Sequence, residues 1–213
     1  MKTDDLIAML ARDAGAVQPD RGGRRFALAL VVAVPCSALL MLATLGLNPA
    51  LDRYVRLPDF WMKVLFVFAL AAIGLVVARR LSRPGVKLGR APLALVIPVL
   101  VVWAIAAATL VSDDAAQRTE AFFGQTWAVC PFLIAMLSVP IFAGTTWAMR
   151  GLAPTRLRLA GAAAGLLSGA AGALVYCLHC PELTAPFVGF WYLLGVLIPT
   201  GIGALLGRRL LQW

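Results

Sequence analysis

Four cysteines and a single histidine are the residues of this chain whose types and spacing suit chemistry. Cys177, His179 and Cys180 fall within Tyr176-Cys177-Leu178-His179-Cys180-Pro181, and Cys130 stands well upstream. Three chemistries fit them. Cys130 and Cys180 would close a disulfide if their Cα atoms came within about 7 Å. Cys177 and Cys180 form a C-x-x-C, a spacing that can cycle between dithiol and disulfide. Two or three thiolates together with His179 would suit a soft metal ion. Cys36, beside Pro35, reads instead as a small packing residue. A C-x-x-C alone is a weak signal, so its weight depends on the elements that place it.

Those elements belong to a membrane. Of the 213 residues, 62% are hydrophobic and only 14% charged, against about 45–50% and about 25% in soluble domains. The mean hydropathy is +0.88. This excludes a disordered chain, a fibrous chain and a disulfide-stapled secreted domain, and argues against a soluble enzyme. A spanning helix needs about 20 apolar residues. Six runs qualify: Phe26–Leu47, Phe60–Ala78, Ala91–Val111, Trp127–Ala148, Leu157–Cys177 and Phe187–Leu206. The expected fold is all-α, a polytopic bundle of six transmembrane helices (residues 26–213) behind a cytoplasmic amino-terminal segment (residues 1–25). The polar first 25 residues and the long first apolar run predict no cleavable signal peptide.

Charge orients the bundle. The 19 Lys and Arg outnumber the 10 Asp and Glu, for a net charge of +9. They form no stripe of the kind that binds nucleic acid, but sit in tracts between the apolar runs. Lys2, Arg12, Arg21, Arg24, Arg25, Arg79, Arg80, Arg83, Lys87, Arg90, Arg150, Arg156, Arg158, Arg208 and Arg209 fall on one side. Arg53, Arg56, Lys63 and Arg118 fall on the other. The positive-inside rule then places both termini in the cytoplasm. Tyr54, Trp61, Trp127, Tyr176, Trp191 and Tyr192 are expected as anchors near outer ends, and Trp147 and Trp213 near inner ends. In this topology Cys130, Cys177, Cys180 and His179 share the non-cytoplasmic face, where disulfides persist.

The spans lack the acidic and histidine groups at depth that pumps and transporters use. Gly161, Gly165, Gly169 and Gly172 give the fifth run a small-residue face, suited to close packing within one bundle or to a dimer contact. The connections are too short for a folded soluble domain. The amino-terminal segment has its own pattern. Thr3 is a good N-cap, Asp4 and Asp5 suit a first helical turn, and Leu6, Met9 and Leu10 share a face, with Ile7 beside them. A helix this short is not stable alone. Its partner is a membrane surface or a protein groove, and Asp4, Asp5 and Asp13 would be repelled by anionic lipid. Gly15 is a plausible stop, and residues 18–23 read as a tether.

The chain resembles the NrsF-type family of six-span membrane anti-sigma factors. The resemblance rests on Met1-Lys2-Thr3-Asp4-Asp5-Leu6-Ile7, on Trp127 with Cys130, on Leu178-His179-Cys180-Pro181, and on Gly207-Arg208-Arg209-Leu210-Leu211-Gln212-Trp213, in that order along essentially the whole chain. It implies an inner-membrane protein of Gram-negative bacteria. Its partner-binding residues would be Asp4, Asp5, Leu6, Ile7, Met9 and Leu10, holding an extracytoplasmic-function sigma factor away from RNA polymerase. It implies no enzyme activity, no cofactor beyond a soft metal as a signal, and no direct nucleic-acid contact. It also implies paired outer cysteines that respond to metal or oxidant, at positions corresponding to Cys130 and Cys180, with Cys177 an additional thiol. Two other readings compete. A membrane thiol oxidoreductase would use Cys177 and Cys180 with a quinone, and a passive scaffold would use the amino-terminal helix as a surface anchor. No nucleophile–base pair, phosphate loop or carboxylate dyad appears.

Overall fold

The computed structural model describes Thr3, Asp5, Met9 and residues 21–86 and 88–212. Among these residues the chain is helical without strands, and six helices are long and apolar enough to cross a membrane. They are α1 (Arg21–Thr44), α2 (Pro58–Leu81), α3 (Val96–Ser112), α5 (Cys130–Arg150), α6 (Leu157–Tyr176) and α7 (Leu193–Leu211), with the short helix α4 (Ala115–Phe123) between α3 and α5. A 3-10 turn at Ala91–Leu95 leads into α3, and a π-helical segment at Val188–Tyr192 leads into α7.

Local chemistry sets the helix starts. Proline occupies the first turn of α2 (Pro58) and α5 (Pro131), where its missing N–H costs nothing. The α4 helix opens with a capping box. The Gln117 side chain accepts from the Asp114 N–H at 3.2 Å, and the Asp114 carboxylate receives a backbone N–H in return. Gly124, at φ +54°, ends it. Neither α4 nor the π-helical segment was expected from the sequence: α4 lies in a polar connection between two apolar runs, and the π-helical segment lies within the last apolar run, whose pattern masks it.

The middle of the bundle is α6. Of its apolar stretch 78% is buried, against 6% for that of α3. It packs on α7, α2 and α5, while α3 lies at the periphery. Glycine makes this possible. A Cβ on Gly161 would strike the Gly203 carbonyl, one on Gly165 the Pro199 carbonyl, and one on Gly207 the Leu157 carbonyl. On another face, a Cβ on Gly172 would fall 2.9 Å from the Ser138 nitrogen of α5. The small-residue face is therefore consumed inside one bundle, which leaves it no room to serve a dimer.

Three expectations change. Arg21–Gly23 are already helical, the start of α1 lying beside Arg83 and Leu152 at Gly22. Cys36 lies exposed on α1 instead of packing, since the buried face of that helix runs through Ala33 and Ser37. The hydroxyl of Ser37 donates to the Leu137 carbonyl of α5 at 2.7 Å. Tyr176 and Tyr192 are fully buried, not interfacial, because they fill the space at one end of the bundle between α5, α6 and the π-helical segment. Asp4, Leu6, Ile7, Leu10, Asp13, Gly15, Gln18, Lys87 and Trp213 lie outside the described residues.

The packing yields a direct test. Gly165→Leu is expected to lower the thermal midpoint of the detergent-solubilised protein by several degrees, with overpacking on the order of 3 kcal/mol. Gly201→Ala, with no neighbour within 4 Å of its added Cβ, is expected to cost nothing. Helical circular dichroism against temperature separates the two.

Candidate functional site

The end of α6 and the start of α5 place three buried thiols at one end of the bundle. Cys130 opens α5 after a turn in which its N–H donates to the Thr126 carbonyl at 2.9 Å. Cys177 caps α6, and the chain then folds back tightly, the N–H groups of His179 and Cys180 each donating to the Tyr176 carbonyl at 3.0 Å. Cys130, Cys177 and Cys180 are at most 2% exposed, and all are free thiols. The Cys130 thiol and the Cys180 sulfur neighbour one another, Cys130 on the donor side. The interaction between Cys177 and Cys180 is electrostatic.

Two tyrosines and a lysine complete the cluster. Tyr176 contributes a hydroxyl to the Cys130–Cys180 pair. Tyr192, from the π-helical segment, places its hydroxyl beside the sulfurs of Cys177 and Cys180 without completing a hydrogen bond of full geometry. A π-helical turn shifts the register of the side chains beyond it and recurs at functional sites. Here it turns Tyr192 into the cluster. Lys63 of α2 is 0% exposed. Its Nζ donates to the Cys180 carbonyl at 3.0 Å and to the Glu182 carbonyl at 2.9 Å. The same ammonium lies 5.7 Å from the ring centroids of both Phe60 and Tyr192. A buried cation without such partners would cost several kcal/mol.

These contacts set the electrostatics of Cys180. Burial pushes its thiol up. The hydrogen bond from Cys130, the Lys63 ammonium and the Tyr192 hydroxyl outweigh burial and bring the group down to about 6. Of the cluster's sulfurs, Cys180 is therefore the one whose surroundings favour the thiolate.

His179 stands apart. Its Nδ1 lies 3.0 Å from the Gly46 carbonyl, and its ring packs beside Tyr176 with centroids 5.8 Å apart. Among the described residues no three His, Cys, Asp or Glu side chains come together to hold a metal ion. A cavity of about 400 Å³, lined by Tyr54, Gln117, Glu120, Gln125, Glu182 and others, opens over Pro181. The Gln125 N–H donates to Glu182 Oε1 at 2.7 Å, and a Cβ on Gly124 would fall 2.6 Å from that carboxylate. At the other end of the bundle the Arg25 guanidinium stacks 4.9 Å over Trp147, and Arg150 Nε bonds the Leu210 carbonyl. Of the amino-terminal candidates, Asp5 and Met9 are helical and exposed, while Asp4, Leu6, Ile7 and Leu10 lie outside the described residues.

Sequence reasoning overlooked Lys63, Tyr176 and Tyr192 as members of the site. Lys63 did carry a signal, as a lone basic residue inside the apolar run of α2, on the side poor in positive charge. The tyrosines carried none that distinguishes them from interfacial anchors.

Fold and site together define a polytopic helical bundle with a buried thiol cluster at one end. The family described as negative regulator of sigma F, NrsF, matches residues 10–213, and the chain belongs to that family. The probable anti-sigma-F factor NrsF of Azospira oryzae is 56% identical over 213 residues, covering both chains completely. The anti-sigma-F factor NrsF of Caulobacter vibrioides is 40% identical over 217 aligned residues, again covering both completely. No solved structure matches the chain.

The Cys180 environment predicts a pH dependence. Because its pKa is depressed, labelling of Cys180 by iodoacetamide is expected to hold near its plateau well below pH 9 and to reach half of it only near pH 6. The stability that the thiolate contributes is full above about pH 9, is lost progressively as the pH falls from there, and is gone below about pH 6. Residue-resolved mass spectrometry reads the labelling, and a midpoint near the ordinary thiol value of 9.0 would contradict the assignment.

Proposed function

We propose that this chain is an anti-sigma factor. In this reading its cytoplasmic amino-terminal segment holds an extracytoplasmic-function sigma factor at the inner membrane and releases it when an envelope signal reaches the thiol cluster. The observation that carries the reading is the end-to-end match to two relatives named anti-sigma-F factor NrsF. The thiol cluster supports the sensing part, because Cys130 and Cys180 meet from segments distant in the chain. A bond between these sulfurs joins the start of α5 to the end of α6 and so acts on the packing of the bundle.

Binding runs through Asp4, Asp5, Leu6, Ile7, Met9 and Leu10. A short amphipathic helix presents apolar anchors to a protein groove and gains its stability there. Arginine-rich connections hold the opposite end of the bundle, with both termini, in the cytoplasm. The role is regulatory and needs no catalytic step. Signalling is a shift between two packings of the bundle. A coupling of about 1–3 kcal/mol changes partner affinity about 5- to 150-fold.

Two experiments test this. Detergent-solubilised wild type is expected to retain a sigma factor from cytoplasmic extract, and a variant lacking residues 1–15 to lose it. Failure of wild type to retain any sigma factor would contradict the reading. Cys130→Ser combined with Cys180→Ser is expected to abolish the stress-induced rise in transcription of sigma-dependent genes. An unchanged rise would remove the thiols from the mechanism.

A further inference from the structure

Lys63 is the one buried cation of the thiol end among the described residues, and the established family name gives it no role. Its geometry is specific. The ammonium comes from α2, a helix that contributes no sulfur, and grips the chain at two points that bracket Pro181, the carbonyls of Cys180 and Glu182. Phe60 from its own helix and Tyr192 from the π-helical segment flank it. Its partners are backbone carbonyls, not a carboxylate, so the bond fixes the path of the chain instead of neutralising a side chain.

The consequence concerns the choice of thiol partner. Cys180 has two neighbours within reach of chemistry. Cys177 lies three residues back on the same turn, in the C-x-x-C arrangement, and Cys130 lies across the bundle on α5. In the structure the Cys180 sulfur hydrogen-bonds Cys130 and not Cys177. A turn free to move would favour the local pair, since closing a short loop costs little entropy. The Lys63 bonds oppose this by holding the Cys180 carbonyl toward α2.

We propose that Lys63 is a positioning residue that fixes Cys180 against Cys130 and thereby makes the long-range disulfide, instead of the C-x-x-C disulfide, the product of oxidation. This rests on the thiol-sensing reading above and deepens it. A pair within Cys177–Cys180 would tie a turn that is already closed, whereas a pair between Cys130 and Cys180 joins α5 to the end of α6. Lys63 thus decides whether oxidation is felt by the helices.

The test is disulfide mapping of the full-length, detergent-solubilised protein after treatment with a diazenedicarboxamide oxidant. That reagent takes two electrons and two protons from two thiols, forming one S–S bond and the hydrazine. Wild type is expected to give mainly Cys130–Cys180. Lys63→Met, which keeps the length of the side chain and loses its donor, is expected to raise the ratio of Cys177–Cys180 to Cys130–Cys180 at least fivefold. Lys63→Arg, which retains a cationic donor, is expected to restore most of the wild-type ratio. If Lys63→Met loses its helical melt, Lys63→Gln replaces it, with the same shift expected. A mutant ratio equal to that of wild type would overturn the role of Lys63 alone. Absence of any Cys130–Cys180 bond in wild type would overturn the thiol-sensing reading and the role of Lys63 together.

Discussion

The close approach of α6 to α7 is the constraint on which the rest of this bundle depends. In lipid there is no hydrophobic drive between helices, so association depends on backbone proximity and van der Waals contact. Gly161, Gly165, Gly203 and Gly207 supply that proximity, since no side chain larger than hydrogen fits between the facing backbones. With α6 held this tightly against α7, its second face remains for α2 and its third for α5. The helix becomes the axis of the molecule, and the segment beyond its last turn is carried to one fixed place.

That segment is the Cys177–Cys180 turn. Its location against Cys130 is a consequence of α6 packing on α5 through Gly172 and Ser138. Its orientation depends on two further elements, α2 through Lys63 and the π-helical segment through Tyr192. Four parts of the chain therefore meet at one cluster of sulfur, hydroxyl and ammonium. Low local dielectric strengthens each of these interactions and makes an unpartnered group costly. That combination favours the thiolate of Cys180 while Cys130 donates to it.

Much of the fold was legible in the residues. The six apolar runs became six helices, because about 20 apolar residues without acids admit few alternatives. The helix starts at Pro58 and Pro131 reflect the stereochemistry of proline. Cys130 with Cys180 was one of several open pairings, and the residues alone could not choose among them. Other features depended on contacts that no single element encodes. Tyr176 and Tyr192 have the composition of membrane anchors, and only the packing around α6 shows them buried. Gly203 and Gly207 carry no mark of their role until Gly161 stands opposite. Cys36 sits in an apolar run whose buried face cannot be chosen without knowing that Ser37 reaches the Leu137 carbonyl. Lys63 was visible as an oddity in charge placement, but its two carbonyl acceptors lie more than a hundred residues away in the chain.

The central claim is that the state of the thiol cluster at one end of the bundle governs partner affinity at the other. The most direct measurement is the dissociation constant of a sigma factor for the protein in lipid nanodiscs, compared between the reduced form and the form locked by a Cys130–Cys180 disulfide. The account predicts that the locked form binds about 5- to 150-fold more weakly, the range set by a coupling of about 1–3 kcal/mol. Equal affinity in the two forms would contradict it.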